Sequence, residues 1–171
     1  TRRSSDLQRL QQDGLIEITP HVGARIPSFN KTQYLEIVSV RNELESMAAR
    51  LAAERMDEKS VKKLFEIVEK MEECTRANDT RQYTTLNREF HDTVYSCCGN
   101  QTLLDIINDL IAKSSQSQSI FYRSPSRMAQ STKQHKQIAE AIRDKKFEEA
   151  CSLMHQHKLE GFTITLNFLD S

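Results

Sequence analysis

The chain has 171 residues, enough for one domain or one domain plus a fragment. Its 24 Lys and Arg balance its 24 Asp and Glu, which excludes a bulk polyanion binder and restricts any nucleic-acid contact to a local patch. The four cysteines (Cys74, Cys97, Cys98 and Cys151) form no C-x-x-C pair, which argues against a zinc ribbon or a secreted disulfide framework and for a reducing cytoplasm.

Residues 1–27 open without an apolar stretch that could act as a signal peptide. Ser5 to Gln12 reads as a short helix with Leu7 and Leu10 on one face, ended by Asp13 and a left-handed Gly14. Leu15 to Thr19 reads as a strand, Pro20 to Gly23 as a turn, and Ala24 to Ile26 as a return strand. So short a segment cannot build a core, and it reads as the back end of a domain whose front precedes residue 1.

The breakers then thin out. Residues 28–171 hold only Gly99, Gly161 and Pro125, so a boundary is expected near Pro27 and an all-helical region after it. About six helices are expected, packed as an antiparallel bundle. The first runs from Lys31 to Arg55, with Tyr34, Ile37, Val38, Arg41, Leu44, Glu45, Ala48 and Leu51 at helical spacing. The second starts at an Asp57 cap and runs to about Arg76. The third spans Thr80 to about Cys98. The fourth, capped by Asn100 or Thr102, is expected to reach Tyr122. The fifth covers Met128 to Arg143 and the sixth Lys146 to Asn167. The stretch Phe162 to Leu169 is apolar but interrupted, and too short to span a bilayer, so no membrane contact is expected.

Helical spacing sorts the histidines. His91 shares a stripe with Asn87, Phe90, Val94 and Cys98. His135 shares one with Ile138, Ala141 and Ile142. His157 continues the stripe of Phe147, Ala150, Cys151 and Met154, whereas His155 falls about 100° away and faces outward. Three inward imidazoles from three helices, with Asn87 one turn before His91, have the chemistry of a divalent-metal site with open positions. Three separately satisfied core histidines fit the same spacing, and both readings stand on periodicity alone.

The ordered set of segments carries a resemblance. Leu7-Gln8-Arg9-Leu10-Gln11-Gln12-Asp13-Gly14-Leu15-Ile16 with Gly23-Ala24-Arg25-Ile26 resembles the end of the recognition helix and the wing of GntR-family winged helices. Val40 to Glu45, Ala48 to Ala53, Phe90-His91, Gly99-Asn100, His135 to Ile138 and Ala150 to His157 follow the order of the FadR-type effector domain, the FCD branch. The resemblance implies a partial winged helix over 1–27 and a helical effector-binding and dimerisation domain over 28–171. It implies a divalent metal, zinc or nickel, on positions matching Asn87, His91, His135 and His157. It further implies a small carboxylic acid effector, a homodimer in the cytoplasm, and operator DNA as partner. Asn87 departs from the family's usual Asp. A neutral amide is the weaker ligand, and the extra positive charge that remains favours an anionic effector.

Arg41 could grip that acid in bidentate fashion, or pair with Glu45 one turn on. Tyr122 and Arg123 are further candidates to line the pocket. For DNA the candidates are Thr1, Arg2, Arg3 and Ser4 at the start of the recognition helix, and His21 and Gly23 at the wing tip. Ser4 stands where the family commonly has Arg, and by itself this chain is expected to bind DNA weakly or not at all. Two rivals remain: a metal-independent sensor of a larger ligand such as an acyl thioester, and a metal-dependent hydrolytic enzyme. The enzyme lacks a base aimed at the metal, because Asp92 and Glu140 lie off the histidine stripes.

Overall fold

The computed structural model describes residues 17–19, 23–25, 31–114 and 126–169. Strands β1 (Glu17–Thr19) and β2 (Gly23–Arg25) pair antiparallel, with Glu17 opposite Arg25 and Thr19 opposite Gly23. Two strands were expected here, over Leu15 to Thr19 and Ala24 to Ile26; the first is described from Glu17 and the second begins one residue earlier, at Gly23. Gly23 holds φ of 112°, a region open to glycine and little else. The expected helix over 5–12 and the turn at 20–22 lie outside the described residues.

Six helices make up the rest of the described chain: α1 (Lys31–Arg55), α2 (Glu58–Ala77), α3 (Thr80–Ser96), α4 (Gln101–Lys113), α5 (Arg127–Arg143) and α6 (Phe147–Leu169). The starts of three are set by short polar side chains. Asp57 accepts from the Ser60 amide at 2.7 Å, Asp79 from Gln82 at 2.9 Å and Asn100 from Leu103 at 3.0 Å. Helix α2 ends at Asn78, whose φ of 53° lets it take the left-handed cap. Short connections at Asn78–Asp79 and Asp144–Lys146 join helices that pack on each other, so α2–α3 and α5–α6 form antiparallel hairpins.

Helix α1 is central. It touches α3, α4 and α5 and packs most extensively on α6. Its stripe of Ala48, Ala49, Ala52 and Ala53 is fully buried, and side chains this small let neighbouring helices approach closely. Around it lie Leu64 and Met71 of α2, Phe90 and Val94 of α3, Ile138 and Ile142 of α5, and Met154 of α6. The spacing of Tyr34, Val38, Arg41 and Glu45 predicted this inward face, and all four are buried.

One helix is shorter than expected. Helix α4 stops at Lys113, not Tyr122. The Ser114 hydroxyl turns back to the Leu110 carbonyl at 2.7 Å and also takes a bond from Arg41 at 2.6 Å. Serine competes with the backbone in this way, and apolar flanks on either side hid it in the sequence.

The turn between α3 and α4 fixes how His91's helix leaves the core. Gly99 has φ of 64°, and a Cβ there would lie 2.7 Å from Arg55 Nη1, which donates to the Cys98 carbonyl at 2.7 Å. Gly99→Ala is therefore expected to destabilise the fold by about 1–2 kcal/mol. Urea unfolding measures it; an unchanged midpoint and slope would count against this account of the turn.

Candidate metal centre and effector cavity

Each of the three inward histidines comes from a different helix: His91 from α3, His135 from α5 and His157 from α6. All three are buried, and their ligand atoms cluster together. His91 Nε2 lies 3.3 Å from His135 Nε2 and 3.3 Å from His157 Nε2. His155 is only partly buried and meets the exposed Glu43 at 3.2 Å, apart from the other three, so the separation of inward from outward histidines by helical spacing holds.

The partners of the opposite ring nitrogens determine which of these atoms carries a proton. Gln134 Nε2 donates to the Glu160 carboxylate at 2.8 Å, and Gln134 Oε1 accepts from Arg127 Nη2 at 3.0 Å. Both partners are single-role groups, so the amide orientation is fixed. His157 Nδ1, 3.0 Å from the same Oε1, must then be the donor. His135 Nδ1 faces Ser131, with Oγ at 3.4 Å, and the ring also donates to the Ser131 backbone. His91 Nδ1 lies 3.4 Å from the Tyr95 hydroxyl, whose own proton goes to Glu45 Oε2 at 2.6 Å. With Nδ1 protonated on each ring, three bare Nε2 lone pairs face one another.

Such an arrangement fits a cation. Zinc–nitrogen bonds of about 2.0–2.1 Å in a tetrahedron hold ligand nitrogens about 3.3–3.4 Å apart, close to the spacing seen here. The rings are also held neutral. Burial first, then the nearby Lys158 charge, lowers His135 to about 3. Burial likewise depresses His91 and His157 well below their ordinary range, with Lys158 and the neighbouring rings adding to it. Neutral imidazole is the ligating form.

The cluster opens onto a cavity of about 590 Å³ lined by Asn87, His91 and His157 together with Arg41, Arg127 and Lys158. Asn87 is half-buried, one turn before His91. Of the two roles expected for Arg41, the pairing with Glu45 is present, through Nε at 2.8 Å and Nη2 at 2.7 Å, and the side chain also lines the cavity. Lys158 Nζ reaches the same carboxylate at 2.7 Å. Burial raises the Glu45 carboxyl, but Lys158 and then Arg41 outweigh it and keep the group ionised. Two cations thus share one buried anion. Asp92 is exposed at the cavity, with Arg88 at 3.8 Å. Tyr122, Arg123, Thr1, Arg2, Arg3, Ser4 and His21 lie outside the described residues. Gly23 is exposed at the start of β2.

Sequence reasoning missed Lys158, Arg127, Gln134 and Tyr95. Lys158 follows His157 directly, which was the available signal. Tyr95 lies one turn beyond His91 and could have been found the same way. Nothing local distinguishes Arg127 or Gln134 from surface residues.

Comparison with known proteins agrees with this architecture. The FCD domain family matches residues 36–160, and the chain belongs to that family. It is 30% identical to the HTH-type transcriptional regulator McbR of Escherichia coli K12 over 104 residues, 61% of this chain and 47% of that protein. It is 32% identical to a probable D-xylose utilization operon transcriptional repressor of Paenarthrobacter nicotinovorans over 97 residues, 57% of this chain and 42% of that one. The chain thus spans less than half the length of these two relatives. The solved structure of E. coli McbR/YncC shares the fold with a TM-score of 0.87 at 22% identity, covering 96% of this chain and 83% of that one. A Streptococcus agalactiae GntR structure aligns with a TM-score of 0.63 at 21% identity, covering 91% and 78%. The resemblance to the FCD branch of GntR regulators is borne out, and the named relatives are regulators of transcription, not enzymes. No described helix is long and apolar enough to cross a membrane.

The depressed histidines give a pH signature. An unfolded imidazole takes up a proton below its ordinary value of 6.5, whereas folded His135 resists down to about 3. Metal-free protein is therefore expected to lose stability steadily as pH falls from 6.5 towards 5, above most carboxylate titration. Unfolding midpoints over that range, compared with those of His135→Gln, read the slope. Equal slopes would show that this histidine is not held neutral.

Proposed function

We propose that this chain is the effector-sensing part of a DNA-binding transcriptional repressor, and that it binds a divalent metal, zinc or nickel, together with a small carboxylic acid. The observation that carries this reading is the convergence of three bare imidazole nitrogens beside a cation-lined cavity in an FCD domain. His91, His135 and His157 would hold the metal, with Asn87 offering an amide oxygen. A bound metal supplies a Lewis-acidic anchor for a carboxylate.

The chain's own residues supply the rest. The ligand set is neutral, so nothing in it offsets the charge of a divalent ion. Arg41 and Lys158 share the single Glu45 carboxylate, which leaves one excess positive charge beside the site. An acid entering the cavity meets this charge. A cavity of about 590 Å³ with Arg41, Arg127 and Lys158 in its wall suits a small anion better than a long acyl chain.

The acid would draw on groups from α1 and α6, while the histidines tie α3, α5 and α6. Effector binding therefore changes how α1 sits, and α1 follows the hairpin segment directly in the chain. That segment (residues 1–27) is proposed as part of a winged helix, with Arg2, Arg3, Ser4, His21 and Gly23 nearest DNA. A homodimer would place two such heads on an operator.

Zinc or nickel at about 100 times its dissociation constant is expected to stabilise the protein by about 2.7 kcal/mol. That corresponds to a rise of roughly 5–11 °C in unfolding temperature. Acetate in place of chloride should raise it further, His135→Ala should abolish the metal response, and Asn87→Asp should tighten metal binding while shrinking the acetate gain. Failure of the wild type to respond to either metal would end this reading in favour of a metal-independent sensor. In the full-length regulator, the cognate acid is expected to weaken operator binding about 5- to 150-fold, a coupling of about 1–3 kcal/mol. Fluorescence anisotropy with labelled operator measures it, and equal affinity with and without acid refutes the sensing role.

A further inference from the structure

Tyr95 is fully buried beside the histidines and plays no part in holding metal or acid as proposed above. Its hydroxyl nevertheless has two committed neighbours. It donates to Glu45 Oε2 at 2.6 Å, a short bond to an ionised acceptor, and its oxygen faces His91 Nδ1 at 3.4 Å. Glu45 cannot supply a proton in return, since it is held as a carboxylate between Lys158 at 2.7 Å and Arg41 at 2.7 Å. The tyrosine proton therefore has one place to go, and the phenol oxygen is left as an acceptor.

We infer that Tyr95 and Glu45 form a positioning relay that holds the proton of His91 on Nδ1 and keeps its Nε2 lone pair free for the metal. The direction of the relay is set by the buried cations at its far end. It runs from α3 into α1, so the helix that carries Arg41 is tied to a metal ligand by hydrogen bonds as well as by packing. His157 has its own fixed acceptor in Gln134, and His135 has Ser131.

The inference rests on the proposed metal site and is tested by equilibrium metal affinity. Zinc binding would be measured by competition against a chromophoric chelator for wild type, Tyr95→Phe and Thr93→Val. Thr93 is the control: it is buried on the same helix, and its hydroxyl donates to the Glu89 backbone carbonyl at 2.8 Å, outside the cavity lining. Loss of an outer hydrogen bond to a metal ligand typically costs about 10- to 100-fold in affinity. Tyr95→Phe should weaken zinc binding by about that factor, while Thr93→Val leaves it within about twofold; metal-free unfolding midpoints place both variants on one stability scale. As a milder change, 3,5-difluorotyrosine at position 95 keeps the ring and hydroxyl but makes the oxygen a poorer acceptor, and should weaken zinc binding in a smaller step. Equal zinc affinity in wild type and both position-95 variants would overturn the relay and leave the metal reading intact. A wild type that takes up no zinc would overturn both.

Discussion

Three imidazole nitrogens held face to face in a buried site are the constraint around which this bundle is arranged. Lone pairs 3.3 Å apart repel. A protein that places its side chains this way must hold each ring firmly from behind. It does so with three different devices: Gln134 locked by Arg127 and Glu160, the Ser131 turn of α5, and the Tyr95–Glu45 pair. The helix starts at Asp79 and Asn100 and the glycine turn at 99 set where α3 begins and ends, and so where His91 stands.

The second organising fact is the charge buried beside the histidines. A lone carboxylate in this core would be strongly disfavoured, as would either cation alone. Together, Arg41, Glu45 and Lys158 form a group that is satisfied by hydrogen bonds but carries one excess positive charge. Arg41 also binds Ser114 at the end of α4 and lies 5.2 Å from the Phe162 ring of α6. The same residues that neutralise Glu45 line the cavity. A change in what occupies the cavity is therefore felt by α1, α4 and α6 through bonds that already join them. The fully buried small residues along α1 pack it densely against these helices, and a dense core deforms little.

The sequence by itself determined the class of the fold and the identity of the three histidines. A chain nearly free of Gly and Pro beyond residue 27 leaves little choice but helices, and the 3.6-residue period says which side of each helix is apolar. That period separated His157 from His155, two residues apart, because neighbours on a helix differ by large angles. It also marked Arg41 and Glu45 as inward despite their charge. Tertiary structure alone decided whether the histidines met, since periodicity orients a side chain within its own helix and carries no information about the packing of one helix on another. It also brought Lys158 to Glu45, 113 positions apart in sequence by residue number, and Gln134 to His157. It ended α4 at Ser114, where a hydroxyl bonded to the backbone and to Arg41 outweighed an apolar pattern that runs on. Which nitrogen of each ring carries its proton was likewise decided only in three dimensions, because a tautomer is chosen by the acceptor beside it, and each acceptor was set in place by the packing of helices that are distant in the chain or by the turn of helix it shares with its histidine.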